Sequence, residues 1–504
     1  VRGRSDTVAW VAAFVVFVVH AAANPHYGYF RDELYFIICG FHPAFGYVDQ
    51  PPIAPLLAAG TQLFGHSLFA LRLVPAAFAG AGVFATCRLA AELGGDEYAE
   101  ILAALAFACT GVLTSFGMKV GPDMAGLWLW PLIALYVLRI VRGGDPRMWI
   151  IAGVAAGFAF ETKYTVVFFG IAIVAGLLLT PQRRVVFSGW FVAGAAIAAA
   201  IALPNVIWQA VNGFPMWELL RNGHDDKNVH AGPLLYVFQQ ILITNLIFWP
   251  LWVIGLVALL RDGATRFLGY AYVLLIAMMI VLGGKDYYPA DVYPILLAGG
   301  SVAIARWIHR PVWRGVVAAA VAVAGLIFLP FSLPILSEQA MAAYTVRVES
   351  ALGVHRSVLQ NERGATATLP NDWADMHGWL ELVRVVATVR DRLPPVQRWE
   401  AAIYTSNYGE ASAINFFGPA LGLPPALSGH NNYWLWGPGV FTGATLIEVG
   451  GDCFAREHAY ASATVVAYVD DPWAMSYERH RPIVVCQGAR ISLMQLWPKL
   501  RSYE

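Results

Sequence analysis

The sequence predicts a polytopic α-helical membrane protein with a separate α/β domain at its C-terminal side. Three observations carry that expectation. Of 504 residues, 58% are hydrophobic and only 13% charged, with a mean hydropathy of +0.57, whereas a soluble domain carries about 25% charge. Apolar stretches that approach the length of a membrane crossing recur from residue 8 to residue 334. Beyond residue 335 the chain turns polar and alternates short β-branched runs with amphipathic ones. The net charge is zero, so no bulk attraction to nucleic acid is implied.

In chain order, the apolar segments are 8–23, 68–92, 100–117, 123–142, 148–161, 164–180, 185–210, 234–260, 266–283, 288–307 and 314–334, which predicts about eleven membrane helices. Arg2 and Arg4 precede the first segment in the manner of a signal peptide. No convincing small-residue cleavage site follows, so the sequence predicts an uncleaved first span. Arg clusters then fall on alternate loops: Arg139/Arg142/Arg147, Arg183/Arg184, Arg261/Arg266 and Arg306/Arg310/Arg314. The positive-inside rule makes those loops cytoplasmic. The opposite loops, and everything after about 335, then lie outside the cell. The expected division is a membrane domain over 1–334 and an extracytoplasmic α/β domain over 335–504.

The outer loops collect the scarce charges: Asp32, Glu33, Asp49, Lys119, Asp123, Lys163, Lys227, Lys285 and Asp286. Ionisable groups near an apolar core are costly and tend to face a cavity or a partner. The loop 24–66 is the most built of these. It holds Asp32-Glu33 at the start of a helix expected over 30–39, then a Pro51-Pro52 pair that fixes an extended turn and starts a second short helix. Both helices are expected to lie along the membrane surface. Neighbouring residues on a helix point about 100° apart, so the two carboxylates cannot aim at one atom and must divide their labour. Asp32 also suits an N-cap and Glu33 a first helical turn.

Several pieces lie on the same side and in a set order: Asp32-Glu33, then Gly46-Tyr-Val-Asp-Gln-Pro-Pro52, then Lys119-Val-Gly-Pro-Asp123, then Lys163-Tyr164, then Gly284-Lys-Asp-Tyr-Tyr288 with Tyr293-Pro294. Over about residues 8–310 this set resembles the family-39-type glycosyltransferases of the GT-C membrane superfamily, which includes protein O-mannosyltransferases and lipid A aminoarabinose transferases. The resemblance implies a bacterial plasma-membrane enzyme that takes a sugar from a polyprenyl-phosphate donor and passes it, outside the cell, to a glycan, lipid or protein acceptor. It implies Asp32 as general base, with Glu33 supporting it. Asp49 and Asp123 would meet sugar hydroxyls. Lys119, Lys163, Lys227 and Lys285 would hold phosphate as point charges, and Tyr288 and Tyr293 would add hydroxyl donors. Aminoarabinose transferases carry Lys directly before the Pro pair; this chain has Gln50. The β-rich insertion of eukaryotic O-mannosyltransferases is not visible. A rival class is a transporter or flippase for the same lipid-linked ligand, since intramembrane charges and a lipid-sized cavity serve that task too.

No cofactor is implied with certainty. His224, Asp225 and Asp226 are candidate ligands for a divalent cation, although their spacing matches no sharp motif. In the C-terminal part, strands are expected at 401–405 and 481–486, and helices at 408–421 and 457–468. Asn407-Tyr408, Asn415 and His430-Asn-Asn-Tyr-Trp434 suit carbohydrate contacts. Cys39, Cys87 and Cys109 fit buried thiols. For Cys453 and Cys486 the sequence leaves a disulfide open.

Overall fold

The computed structural model describes residues 6–226, 232–353, 359, 366–454 and 457–503, the side chains of 223–226 excepted. Arg2, Arg4 and Lys227 lie outside the described residues. Each apolar segment becomes helix, beginning with α1 (Thr7–Ala23). The helices α2 (Arg31–Phe41) and α3 (Ile53–Gly60) follow in the loop 24–66, then α4 (Leu68–Glu92). The Ser67 side chain caps α4 by accepting from the Ala70 N–H.

Among the described residues three helices, not eleven, are by themselves long and apolar enough to cross a membrane: Leu68–Glu92, Gly189–Val211 and Pro311–Phe331. Seven more apolar helices are shorter, 10–17 residues. At 1.5 Å per residue these fall short of a hydrocarbon layer of about 30 Å. Two expected spans are broken. The segment 100–117 divides into Glu97–Ala108 and Gly111–Phe116, and 234–260 divides into Pro233–Thr244 and Pro250–Arg261. The breaks meet. Buried Asn245 donates its amide to the carbonyls of Cys109 (3.4 Å) and Ala324 (3.3 Å), tying the two breaks to the helix Pro311–Phe328. Close helix crossings use glycine. A Cβ on Gly153 would sit 2.1 Å from the Gly194 carbonyl oxygen, which is how small residues let membrane helices approach.

The C-terminal part carries a five-stranded sheet of β1 (Ala402–Thr405), β2 (Ala426–Ser428), β3 (Thr445–Val449), β4 (Tyr460–Val469) and β5 (Arg481–Ala489), in the order β2-β1-β3-β5-β4. The pairs β1–β2 and β1–β3 are parallel; β3–β5 and β4–β5 are antiparallel. The strands expected at 401–405 and 481–486 are present, as is a helix at Tyr408–Phe417. The helix expected over 457–468 is instead the edge strand β4. Its Thr464-Val-Val run is β-branched, and it finds a ladder partner in β5, which tertiary pairing alone provides. Cys453 and Cys486 are joined in a disulfide with their Cα atoms 6.1 Å apart.

The two parts share one core. Leu34, Tyr35, Ile37 and Ile38 of α2 are buried in the same cluster as Val383, Ala411 and Ile414 of the C-terminal part. The helix α2 is therefore held between the bundle and the sheet domain. A second tie joins the chain's end to the outer helix Pro215–Asp226. Arg501 pairs with Glu218 at 2.9 Å, and Asn222 donates to the Tyr503 carbonyl at 2.7 Å.

Candidate functional site

The first turn of α2 sends its two carboxylates to different places, as the 100° spacing demands. Glu33 is fully buried. It accepts from the Phe30 N–H (2.9 Å) and from the Val120 N–H (3.1 Å), and it pairs with the equally buried Arg72 of α4 at 2.9 Å. Arg72 also donates to the carbonyls of Asn24, His26 and Gly28. This clamp closes the loop 24–66 onto the bundle. Glu33 has its oxygens filled and no open face, so the geometry assigns it to holding the helix in place.

Asp32 faces the other way, and 34% of its side chain is exposed. Its Oδ1 accepts from the Tyr408 hydroxyl at 2.7 Å and lies 3.5 Å from Arg31 Nε. Arg31 in turn reaches Asp375 (3.3 Å) and the Tyr477 hydroxyl (2.6 Å). Burial raises the Asp375 carboxyl to about 6, against the pull of Arg31. Lys119 lies over the Phe30 ring at 4.1 Å and pairs with Asp372 at 2.7 Å. The rim of the site is thus half bundle and half C-terminal domain.

Asp49 lies beside this rim. Tyr35 donates to its Oδ1 at 3.0 Å. Burial lifts the Asp49 carboxyl to about 7; the charge on Asp32 adds to the shift and the Tyr35 hydrogen bond opposes it. The loop that carries Asp49 is gripped from both sides. Gln209 of the long helix Gly189–Val211 donates to the Tyr47 carbonyl (2.9 Å), and Asn432 accepts from the Val48 N–H (2.7 Å). Gln50 is buried, and its amide has no partner among the described residues.

A second group gathers below. Lys163 pairs with Asp123 and lies over the rings of Tyr287 (4.9 Å) and Tyr288 (4.8 Å). Buried Asp291 adds a second carboxylate, packed so closely that a Cβ on Gly126 would clash with it. The backbone from Phe116 to Asp123 links the two groups, since Val120 meets Glu33, Lys119 meets Asp372 and Asp123 meets Lys163. Lys285 is half-buried, and its carbonyl accepts from Tyr236. Tyr293 is placed elsewhere. It is fully buried in the bundle core, donating to Gln240 at 2.9 Å beside Trp252 and Tyr272. The side chains of His224, Asp225 and Asp226 are outside the described part. No group of three His, Cys, Asp or Glu suited to a metal occurs among the described residues.

Sequence reasoning did not single out Arg72, Arg31, Asp291 or Asp375. Arg72 had a signal, being a charge inside an otherwise apolar stretch. Asp375 had none. Of the expected carbohydrate contacts, Asn415 is spent within its domain on Ala426 and Tyr433. Tyr408 and Asn432 reach the rim.

Known proteins share this fold. ArnT from Cupriavidus metallidurans, solved bound to undecaprenyl phosphate, superposes over 95% of this chain and 97% of its own, with a TM-score of 0.57 and 15% identity. The chain shares the overall fold of that protein. The family model for dolichyl-phosphate-mannose-protein mannosyltransferases matches residues 49–208. The lipid A galacturonosyltransferase RgtD of Rhizobium johnstonii is 27% identical over 182 residues, 36% of this chain and 38% of that protein. The undecaprenyl phosphate-α-4-amino-4-deoxy-L-arabinose arabinosyl transferase of Pseudomonas savastanoi is 28% identical over 189 residues, 35% of this chain and 28% of that protein. The chain therefore spans about a third of the length of these curated relatives.

Proposed function

We propose that the chain is a membrane glycosyltransferase that moves a sugar from a polyprenyl-phosphate donor to an acceptor outside the cell. The acceptor hydroxyl attacks the anomeric carbon and its proton passes to the Asp32 carboxylate. The bond from that carbon to the phosphate oxygen breaks, and polyprenyl phosphate leaves with the bonding pair. One displacement inverts the anomeric centre. The observation that carries this reading is the contrast within α2: Glu33 is sealed, whereas Asp32 stands open at a rim lined by Lys119 and continuous with Lys163. A positioned base of this kind contributes ~10²–10⁴-fold. Lys163, Lys119 and Lys285, with Lys227 and the hydroxyl of Tyr288, are the candidates to meet the departing phosphate. Asp49 and Asp123 are the candidates to meet sugar hydroxyls.

The same reading has the shorter apolar helices complete a bundle of about eleven crossings, tilted or extended by the turns between them. It places the division near residue 334 and the sheet domain outside a bacterial plasma membrane. The Arg-bearing loops support that orientation. The test uses purified protein with undecaprenyl-phosphate-linked galacturonate or aminoarabinose and lipid A. Release of undecaprenyl phosphate together with a glycosylated, anomerically inverted product is expected. Passage of intact donor across a vesicle membrane without cleavage would instead establish a transporter.

A further inference from the structure

We propose that Tyr408, contributed by the C-terminal domain, is the positioning residue for Asp32, so that docking of that domain completes the active centre. The inference rests on the reading of Asp32 as the base. An Asp carboxylate is weakly held by its own torsion, because χ2 is broad and two-fold. Here two groups converge on one oxygen. Tyr408 donates to Oδ1 at 2.7 Å and Arg31 Nε stands 3.5 Å from the same atom. Oδ2 has no partner among the described residues, so it is the oxygen left for an acceptor hydroxyl. A hydrogen bond to a carboxylate is among the strong ones. Burial raises the Tyr408 phenol above its ordinary range, so it stays a donor.

Tyr408 is itself fixed by its domain. It is the first residue of the helix that follows β1, and that helix starts with a reciprocal cap. Asn407 Oδ1 accepts from the Glu410 N–H (3.0 Å), and Glu410 accepts from the Asn407 N–H (3.3 Å). Arg481 of β5 holds Glu410 at 2.7 Å. The Tyr408 ring packs against Tyr35 (4.5 Å) and His430 (4.8 Å), with the Arg31 guanidinium 5.5 Å from its centre. The sheet domain thus delivers one hydroxyl to one oxygen across a built contact.

The test compares full-length wild type, Tyr408→Phe, Asp32→Asn and the double variant, reading undecaprenyl phosphate released from whichever of the two donors the wild type uses. Phe keeps the ring contacts and removes only the hydroxyl. Tyr408→Phe is expected to lower kcat roughly 10- to 100-fold, with KM for the donor and the melting temperature unchanged. In the Asp32→Asn background the same change should cost nothing further, because the two residues act as one unit. Replacement of Tyr408 by 3-fluorotyrosine, which keeps shape and donor, should restore kcat. An unaltered kcat in Tyr408→Phe, or an equal fall in both backgrounds, overturns the inference and leaves the role of Asp32 standing. Wild-type turnover by Asp32→Asn, or no turnover of either donor by the wild type, overturns the reading beneath it and the inference with it.

Discussion

The dry floor of the loop 24–66 and its wet rim are built from adjacent residues and obey opposite rules. On the floor, Glu33 and Arg72 are both fully buried, and each is surrounded by complementary backbone groups. On the rim, Asp32 keeps a third of its surface in solvent and one oxygen without a partner among the described residues. A buried ion pair is costly to assemble and costlier to break, which suits a part that must never move. An exposed carboxylate with one free oxygen can take up a proton and lose it again. The peptide bond places the two side by side, and the helix turns them apart.

The largest effect should come from breaking the floor. Arg72→Met leaves Glu33 buried without its cation and is expected to cost about 3–5 kcal/mol, read as loss of folded protein in detergent. Adding Glu33→Gln should recover part of that loss, because it removes the unpaired buried charge while its one carbonyl oxygen still accepts from either the Phe30 or the Val120 N–H. If Arg72→Met melts like wild type, floor and rim do not differ as described. At the rim, Asp32→Asn should leave melting unchanged while turnover falls by ~10²-fold or more. A mutant that lost stability and kept activity would reverse the assignment of the two carboxylates.

Lys163 tests whether the lower group belongs with the rim. Lys163→Gln should raise the donor KM by roughly 10-fold, the worth of one charge-assisted contact, with kcat less affected. An unchanged KM would detach the Asp123 group from the donor. The smallest effect concerns Glu448, a dry carboxylate with no ion pair among the described residues. Burial raises it from 4.5 to about 8, more than Arg481 opposes. The folded form therefore binds the proton more tightly than the unfolded chain does. Stability contributed by this group falls as pH rises from 4.5 towards about 8. Glu448→Gln should raise the melting temperature above pH 8 and change nothing below pH 4.5. Equal effects at both ends of that range would remove the contrast between a dry acid with a cation and one without.

Much of this was legible in the chain. The apolar segments became helices because twenty or so residues without charge bury well in no other form. The pair of short helices in 24–66 followed from Asp32-Glu33 and from Pro51-Pro52, whose preference for helix starts is local. Span lengths were less legible. Nothing local in 234–260 announces that Asn245 will spend its amide on Cys109 and Ala324. Strand β4 was misjudged for the same reason. Its Ala- and Ser-containing run suits either state, and β5 settled it.

By itself, the sequence determined which segments seek lipid, which loops carry the acids and lysines, and that Asp32 and Glu33 must diverge. Those are consequences of hydropathy, charge and helical pitch, all read within a few residues. Only the tertiary structure decided which carboxylate is sealed and which is open. That choice depends on Arg72, 39 residues away, and on Tyr408, 376 residues away. A side chain's protonation chemistry is set by what desolvates and pairs it, and those partners are neighbours in space rather than in sequence.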